Sequence, residues 1–223
     1  MNKKYLIVTI ICLIISLISG IIFHDILIGG TSLFTGLLCA YFFSEGKRVS
    51  YKLGLINYLL IGYVSFKNGL YGLFIFGAVI CPILQIQGFI SWSKNLNKDN
   101  NVKVREFTLK NSIIITISCI VGSLILSYLL TLIPSQRIAF LDASTNIINL
   151  CAVVLGILRF KECWWIWLIN NTIDLTIWLI KFISKGENSG MMLLVSIGYL
   201  LINIYGIIKW NIEAKKGNVL NEK

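Results

Sequence analysis

The sequence predicts an all-α integral membrane protein of about eight transmembrane helices: one N-terminal helix, then two parallel three-helix repeats joined through a linker helix. Three observations lead there. Hydrophobic residues fill 57% of the 223 positions and charged residues only 13%, against about a quarter charged in an ordinary soluble domain. The apolar residues form continuous runs close to the roughly 20 residues one crossing needs, and they do not alternate as barrel strands do. A short polar-aromatic pattern also occurs twice, in the same order, in the two halves of the chain.

The apolar runs cover about 5–23, 26–43, 52–67, 70–92, 111–132, 138–158, 163–184 and 190–210. The first follows Lys3 and Lys4 and lacks a small-x-small cleavage site, so it reads as a retained helix and not a secretory signal. The fourth contains Pro82, which should kink it. The polar, Asn- and Lys-rich stretch 93–110 connects the halves, and Pro134 marks the end of the fifth run. Near the start of the sixth, Asp142 suits the positive end of its own helix dipole. The resulting plan is an N-terminal helix (1–25), a first three-helix unit (26–92), a loop and linker helix (93–137), a second three-helix unit (138–210) and a tail (211–223).

The net charge of +10 follows from topology. Of the 20 Lys and Arg, only Lys67, Arg137, Lys181 and Lys185 fall on one side of an eight-crossing layout. Positive residues collect on the cytoplasmic side, which places both termini there and removes the need for a nucleic-acid partner. The six cysteines are scattered with no C-x-x-C pair, and His24 is the lone histidine, so neither a metal site nor a disulfide framework is expected. No phosphate-binding loop, nucleophile elbow or H-E-x-x-H motif is present. Enzymatic chemistry, a resident cofactor and direct ATP-driven pumping are therefore not expected.

The repeat carries the polar residues. Run 4 ends in Gln85-x-x-Gly88-x-x-x-Trp92 and run 8 in Asn203-x-x-Gly206-x-x-x-Trp210. Each is preceded by Leu-Ile-Asn in the helix before it, at Asn57 and at Asn170. Counting at about 1.5 Å per residue puts Asn57, Gln85, Asn171 and Asn203 at similar depth. Such amides either bond neighbouring helices together or form a polar site between repeats. Four at one level favour a site. In run 7, Trp164, Trp167 and Asn171 share one helix face. Asp174 follows three residues later, at a depth where an acid costs about 2.5–3.5 kcal/mol unless something compensates it. Trp92, Trp165 and Trp210 suit an interfacial aromatic belt, and so does Trp164.

Together these motifs resemble the nicotinamide riboside transporter (PnuC) family of bacterial vitamin transporters over about residues 30–210. The family's Trp-x-x-Trp-x-x-x-Asn motif matches Trp164, Trp167 and Asn171. Gly54 to Asn57, Lys67 to Gly72 and the two octets resemble other parts of its pattern, while Leu73 and Cys163 stand where Glu and Gln are usual. Asp174 replaces an expected small or apolar residue. The resemblance implies a SWEET-like bundle of opposite orientation, a homotrimer and a bacterial plasma-membrane location. It also implies facilitated diffusion of a small aromatic vitamin, with trapping by a separate cytoplasmic kinase. Trp164, Trp167 and Asn171 then bind substrate, joined by Asn57, Gln85 and Asn203, with Asp174 offsetting positive charge. Nicotinamide riboside is the leading substrate; thiamine, riboflavin or a deoxynucleoside, proton-coupled uptake through Asp174, and a non-transporting scaffold or sensor are the alternatives.

Overall fold

In the computed structural model the residues described are 3–97, 101–107, 109–133, 138–215 and 220–221; the expectations for Pro134 and Arg137 lie outside them. Eight helices among these are long and apolar enough to cross a membrane. They are α1 (Lys3–Ile22), α2 (Ile26–Ser44), α3 (Val49–Lys67), α4 (Tyr71–Ser93), α5 (Leu109–Thr131), α6 (Ala139–Ile157), α7 (Cys163–Ile183) and α8 (Ser189–Lys215). Two short strands, β1 (Arg105–Glu106) and β2 (Leu220–Asn221), pair in parallel.

Six helices close a ring. α2 packs on α3, α3 on α4, α4 on α6, α6 on α7, α7 on α8, and α8 back on α2. α1 lies outside against α2, and α5 lies outside against α6. The outer helices turn their apolar side chains outward: Ile113, Ile117, Ile120 and Leu124 of α5 are all more than half exposed. A hydrocarbon environment requires such a surface and also satisfied backbone groups, which helices provide internally.

The loops sort into two ends. At the basic end, Lys4 and Lys209 both pair with Glu45, Val102 N–H donates to Gly46 O at 3.0 Å, and Arg105 N–H donates to Arg159 O at 2.8 Å. The stretch 93–110 was expected to be a plain polar connection. Its described part instead packs across this end, with Val102 and Val104 buried in an aromatic core. At the far end, Asp142 accepts the backbone N–H groups of Gly72 and Leu73, both at 2.9 Å. From the first turn of its own helix, where the sequence placed it, it therefore also caps the first turn of α4, satisfying donors that a helix start leaves orphaned. Lys181, read as a loop charge, sits in the last turn of α7, is buried, and donates to Asn68 O at 2.6 Å.

Pro82, expected to kink its helix, follows a π-helical irregularity in α4. Residues Phe76–Ile80 form a π-helical turn immediately before it, with Cys81 N–H reaching back to Phe76 O. The wider turn accommodates a ring that offers no N–H and would press on the preceding turn. Two buried clusters remain, an aromatic one at the basic end and an aliphatic one toward the far end, and the space between them is the site.

Candidate substrate site

α7 supplies the spine of the site. Trp164, Trp167, Asn171, Asp174 and Trp178 follow each other at steps of three and four residues, so they share one face of the helix. That face lines a cavity of about 110 Å³ inside the six-helix ring. One water needs only about 10–15 Å³ of such space, so this is room for a ligand and not a packing defect.

All seven residues singled out from the sequence line this one cavity: Asn57 from α3, Gln85 from α4, Trp164, Trp167, Asn171 and Asp174 from α7, and Asn203 from α8. Residues that sequence reasoning passed over join them, among them Phe43, Tyr58, Asn149, Asn170, Trp178 and Tyr199. Trp178 continues the spacing of the α7 face, and Asn149 is another amide inside an apolar run; both signals were legible. Asn170 is the repeat's own Leu-Ile-Asn residue, set aside for its neighbour.

The basic end of the cavity is closed by packed rings. Phe43 meets Trp167 edge-on at 4.8 Å and 81° and stacks on Trp210 at 5.6 Å and 8°. Trp164 and Trp167 lie 5.4 Å apart at 69°. The belt expected at Trp92, Trp210 and Trp164 is overturned: they are 0%, 2% and 3% exposed, whereas Trp165 is 55% exposed. The indole N–H groups of Trp92 and Trp210 explain the burial of those two. Trp92 Nε1 donates to Gly156 O at 2.9 Å, and Trp210 Nε1 donates to Ser44 O at 3.1 Å. Each thus supplies a donor to the last turn of α6 or α2, where carbonyls lack helical partners.

The polar lining divides into groups bonded to one another and groups that are not. Asp174 accepts from Thr145 Oγ1 at 3.0 Å and from Asn170 Nδ2 at 3.1 Å. Asn57 Nδ2 donates to Ser32 O at 2.8 Å, while its Oδ1 accepts from Tyr199 OH at 2.6 Å. Asn149 Oδ1 accepts from Trp167 Nε1 at 3.3 Å. In contrast, neither side-chain polar atom of Asn203 has a hydrogen-bond partner among the described residues, and neither does Trp164 Nε1. Leaving a buried polar group unmatched costs about 1–3 kcal/mol, so a polar ligand is the natural complement. Among the described residues Asp174 is the one acid in the lining, and no Lys, Arg or His lines it. Among the described residues no group of three or more His, Cys, Asp or Glu stands together as a metal site would require.

Comparison with known proteins meets this geometry. Residues 26–212 match the family model described as nicotinamide mononucleotide transporter. The chain is 30% identical to the nicotinamide riboside transporter PnuC of Neisseria mucosa, across 82% of this chain and 71% of that one. It is 28% identical to the protein of the same name from Haemophilus influenzae, across 82% and 79%. A crystal structure of the vitamin B3 transporter PnuC superimposes with a TM-score of 0.84 at 27% identity, over 97% of this chain and 94% of that one.

Proposed function

The chain belongs to the nicotinamide mononucleotide transporter family, and from that premise we propose that it carries nicotinamide riboside across the bacterial plasma membrane by facilitated diffusion. It is a multi-pass membrane transporter and not an enzyme. The observation that carries the choice of substrate is the charge of the cavity: among the described residues its lining holds one carboxylate, Asp174, several indoles and no cationic side chain. A pyridinium gains from both the carboxylate and an indole face. A phosphorylated nucleotide would bring negative charge to a wall without the Arg or Lys that phosphate recognition uses, which favours the riboside over the mononucleotide.

In this reading Trp164 and Trp167 flank the ring, Asn171, Gln85 and Asn203 bond polar groups, and Asp174 offsets positive charge. Asn57, with its amide already held between α2 and α8, positions Tyr199. The transport unit is a homotrimer with both termini cytoplasmic, and a separate kinase traps the vitamin inside.

The repeat plan, 26–92 and 138–210 around the linker, has reciprocal packing in its support. Trp92 of the first unit bonds the end of α6, and Trp210 of the second bonds the end of α2. A Cβ on Gly88 would run into the Tyr51 ring, and one on Gly206 into the Trp164 ring. The outer helices α1 and α5 sit alike, each on the first helix of a unit.

Uptake of labelled nicotinamide riboside into proteoliposomes that contain no kinase should stop at equal concentrations inside and out, and the mononucleotide should not compete. Accumulation above that level would sink the uniport reading. The position of Asp174 in the cavity wall, inside an apolar span, favours one second reading, proton-coupled uptake; an imposed pH gradient that drives accumulation would establish it. Thiamine, also cationic, is the next substrate to test.

A further inference from the structure

Several polar groups lining the cavity lack a partner among the described residues, Ser50 Oγ, Tyr51 OH and Trp164 Nε1 among them, and of these residues Asn203 is the amide, with both of its polar atoms unmatched. It is 2% exposed, it lines the cavity, and both its Oδ1 and its Nδ2 lack a partner among the described residues. The contrast with its neighbours is direct. One turn before it, Tyr199 is tied to Asn57 at 2.6 Å. In the turn after it, Gly206 presses on the Trp164 ring. The side chain is thus framed on its own helix by two fixed features, and its amide is left for something in the cavity. The two amide atoms exchange places on a flip, so either orientation presents a donor beside an acceptor.

We propose that Asn203 is a specificity-determining residue that reads a planar edge carrying one hydrogen-bond donor next to one acceptor, the primary carboxamide of a pyridinium riboside. The inference rests on the nicotinamide riboside reading above and deepens it. An amide facing an amide forms two antiparallel N–H···O bonds, the Asn203 Nδ2 donating to the carboxamide oxygen and the carboxamide nitrogen donating to Oδ1. A ligand that keeps the oxygen but replaces the NH2 leaves Oδ1 buried and unmatched. Sites built on hydrogen bonds reject such analogues far more strongly than apolar pockets reject a missing methylene. Asp174, by contrast, responds to ring charge, which the carboxamide does not alter.

The test compares nicotinamide riboside with 3-acetylpyridine riboside, which has the same ring charge and nearly the same shape but a methyl group in place of the NH2. Binding to detergent-purified protein is measured by titration. The wild-type protein is expected to bind the acetyl compound at least about tenfold more weakly. Asn203→Leu should weaken nicotinamide riboside and shrink that ratio to about threefold or less. Trp167→Phe should weaken both ligands alike and keep the ratio. Equal wild-type affinity for the two ribosides overturns the proposal whether or not the variant folds, and so does an unchanged ratio in Asn203→Leu. If the wild-type protein binds neither riboside, the nicotinamide reading itself fails together with the proposal.

Discussion

Asp174 shows how a single residue in hydrocarbon is made tolerable. Its oxygens accept from Thr145 and Asn170, which lowers the cost of burial without neutralising the charge by an ion pair. The remaining acceptor capacity of the carboxylate is available to a cation in the cavity. Asp174→Asn should therefore weaken nicotinamide riboside by about tenfold or more, as a charge–charge contact of several ångströms at an effective dielectric near 20 predicts. It should leave the neutral dihydronicotinamide riboside within about threefold. Titration calorimetry on both ligands checks this, and equal losses would assign Asp174 a purely structural role. The sequence made Asp174 visible because an acid in an apolar run is conspicuous. It could not show the partners, because Thr145 lies 29 residues away, just as Tyr199 lies 142 residues from Asn57. The same distance in sequence hid the task of Asp142: the donors it satisfies, Gly72 and Leu73, belong to another helix.

At the scale of elements, the eight helices were legible because bilayer thickness imposes a length on each apolar run. The detail within them was less so. A proline announces an irregularity but not its form, and here the form is a π-helical turn over Phe76–Ile80. The loop before α5 read as polar because its Val102 and Val104 are interleaved with charges; their burial depends on loops that meet only in the folded chain. The octets were read as a pair from their spacing, and the physical reason for their glycines and tryptophans is interhelical. A methyl group at Gly88 or Gly206 has no room against Tyr51 or Trp164. Gly88→Ala and Gly206→Ala should each destabilise the protein by about 1–3 kcal/mol through overpacking. Both should lower the melting temperature in detergent. Each should in addition weaken substrate, because the rings they displace, Tyr51 and Trp164, both line the cavity. A normal melting temperature in either variant would mean that the ring can move aside.

For the whole molecule, closure of the ring at the basic end depends on the α2–α8 seam, and that seam carries a charged cluster just beyond the aromatic plug. Glu45, at the end of α2, accepts from Lys209 at 2.5 Å and from Tyr205 OH at 2.6 Å on α8, and from Lys4 at 3.0 Å on α1. Three helices are thereby held through one carboxylate. Burial alone would push the Glu45 carboxyl up, but the hydrogen bonds from Lys209, Tyr205 and Lys4 outweigh it and hold it down to about 2. A free glutamate titrates near 4.3, so the folded state holds this proton less tightly than the unfolded state does. The cluster's contribution to stability is then fully present above about pH 4.5 and is lost as the pH falls toward 2. Other carboxylates also titrate in that window, which makes the difference from Glu45→Gln the informative quantity. At pH 7 the wild-type protein should melt above Glu45→Gln, and the gap should narrow steadily between about pH 4.5 and 2. A gap that stays constant over that range would show that the Glu45 charge contributes nothing and that packing alone holds α1 and α8 against α2.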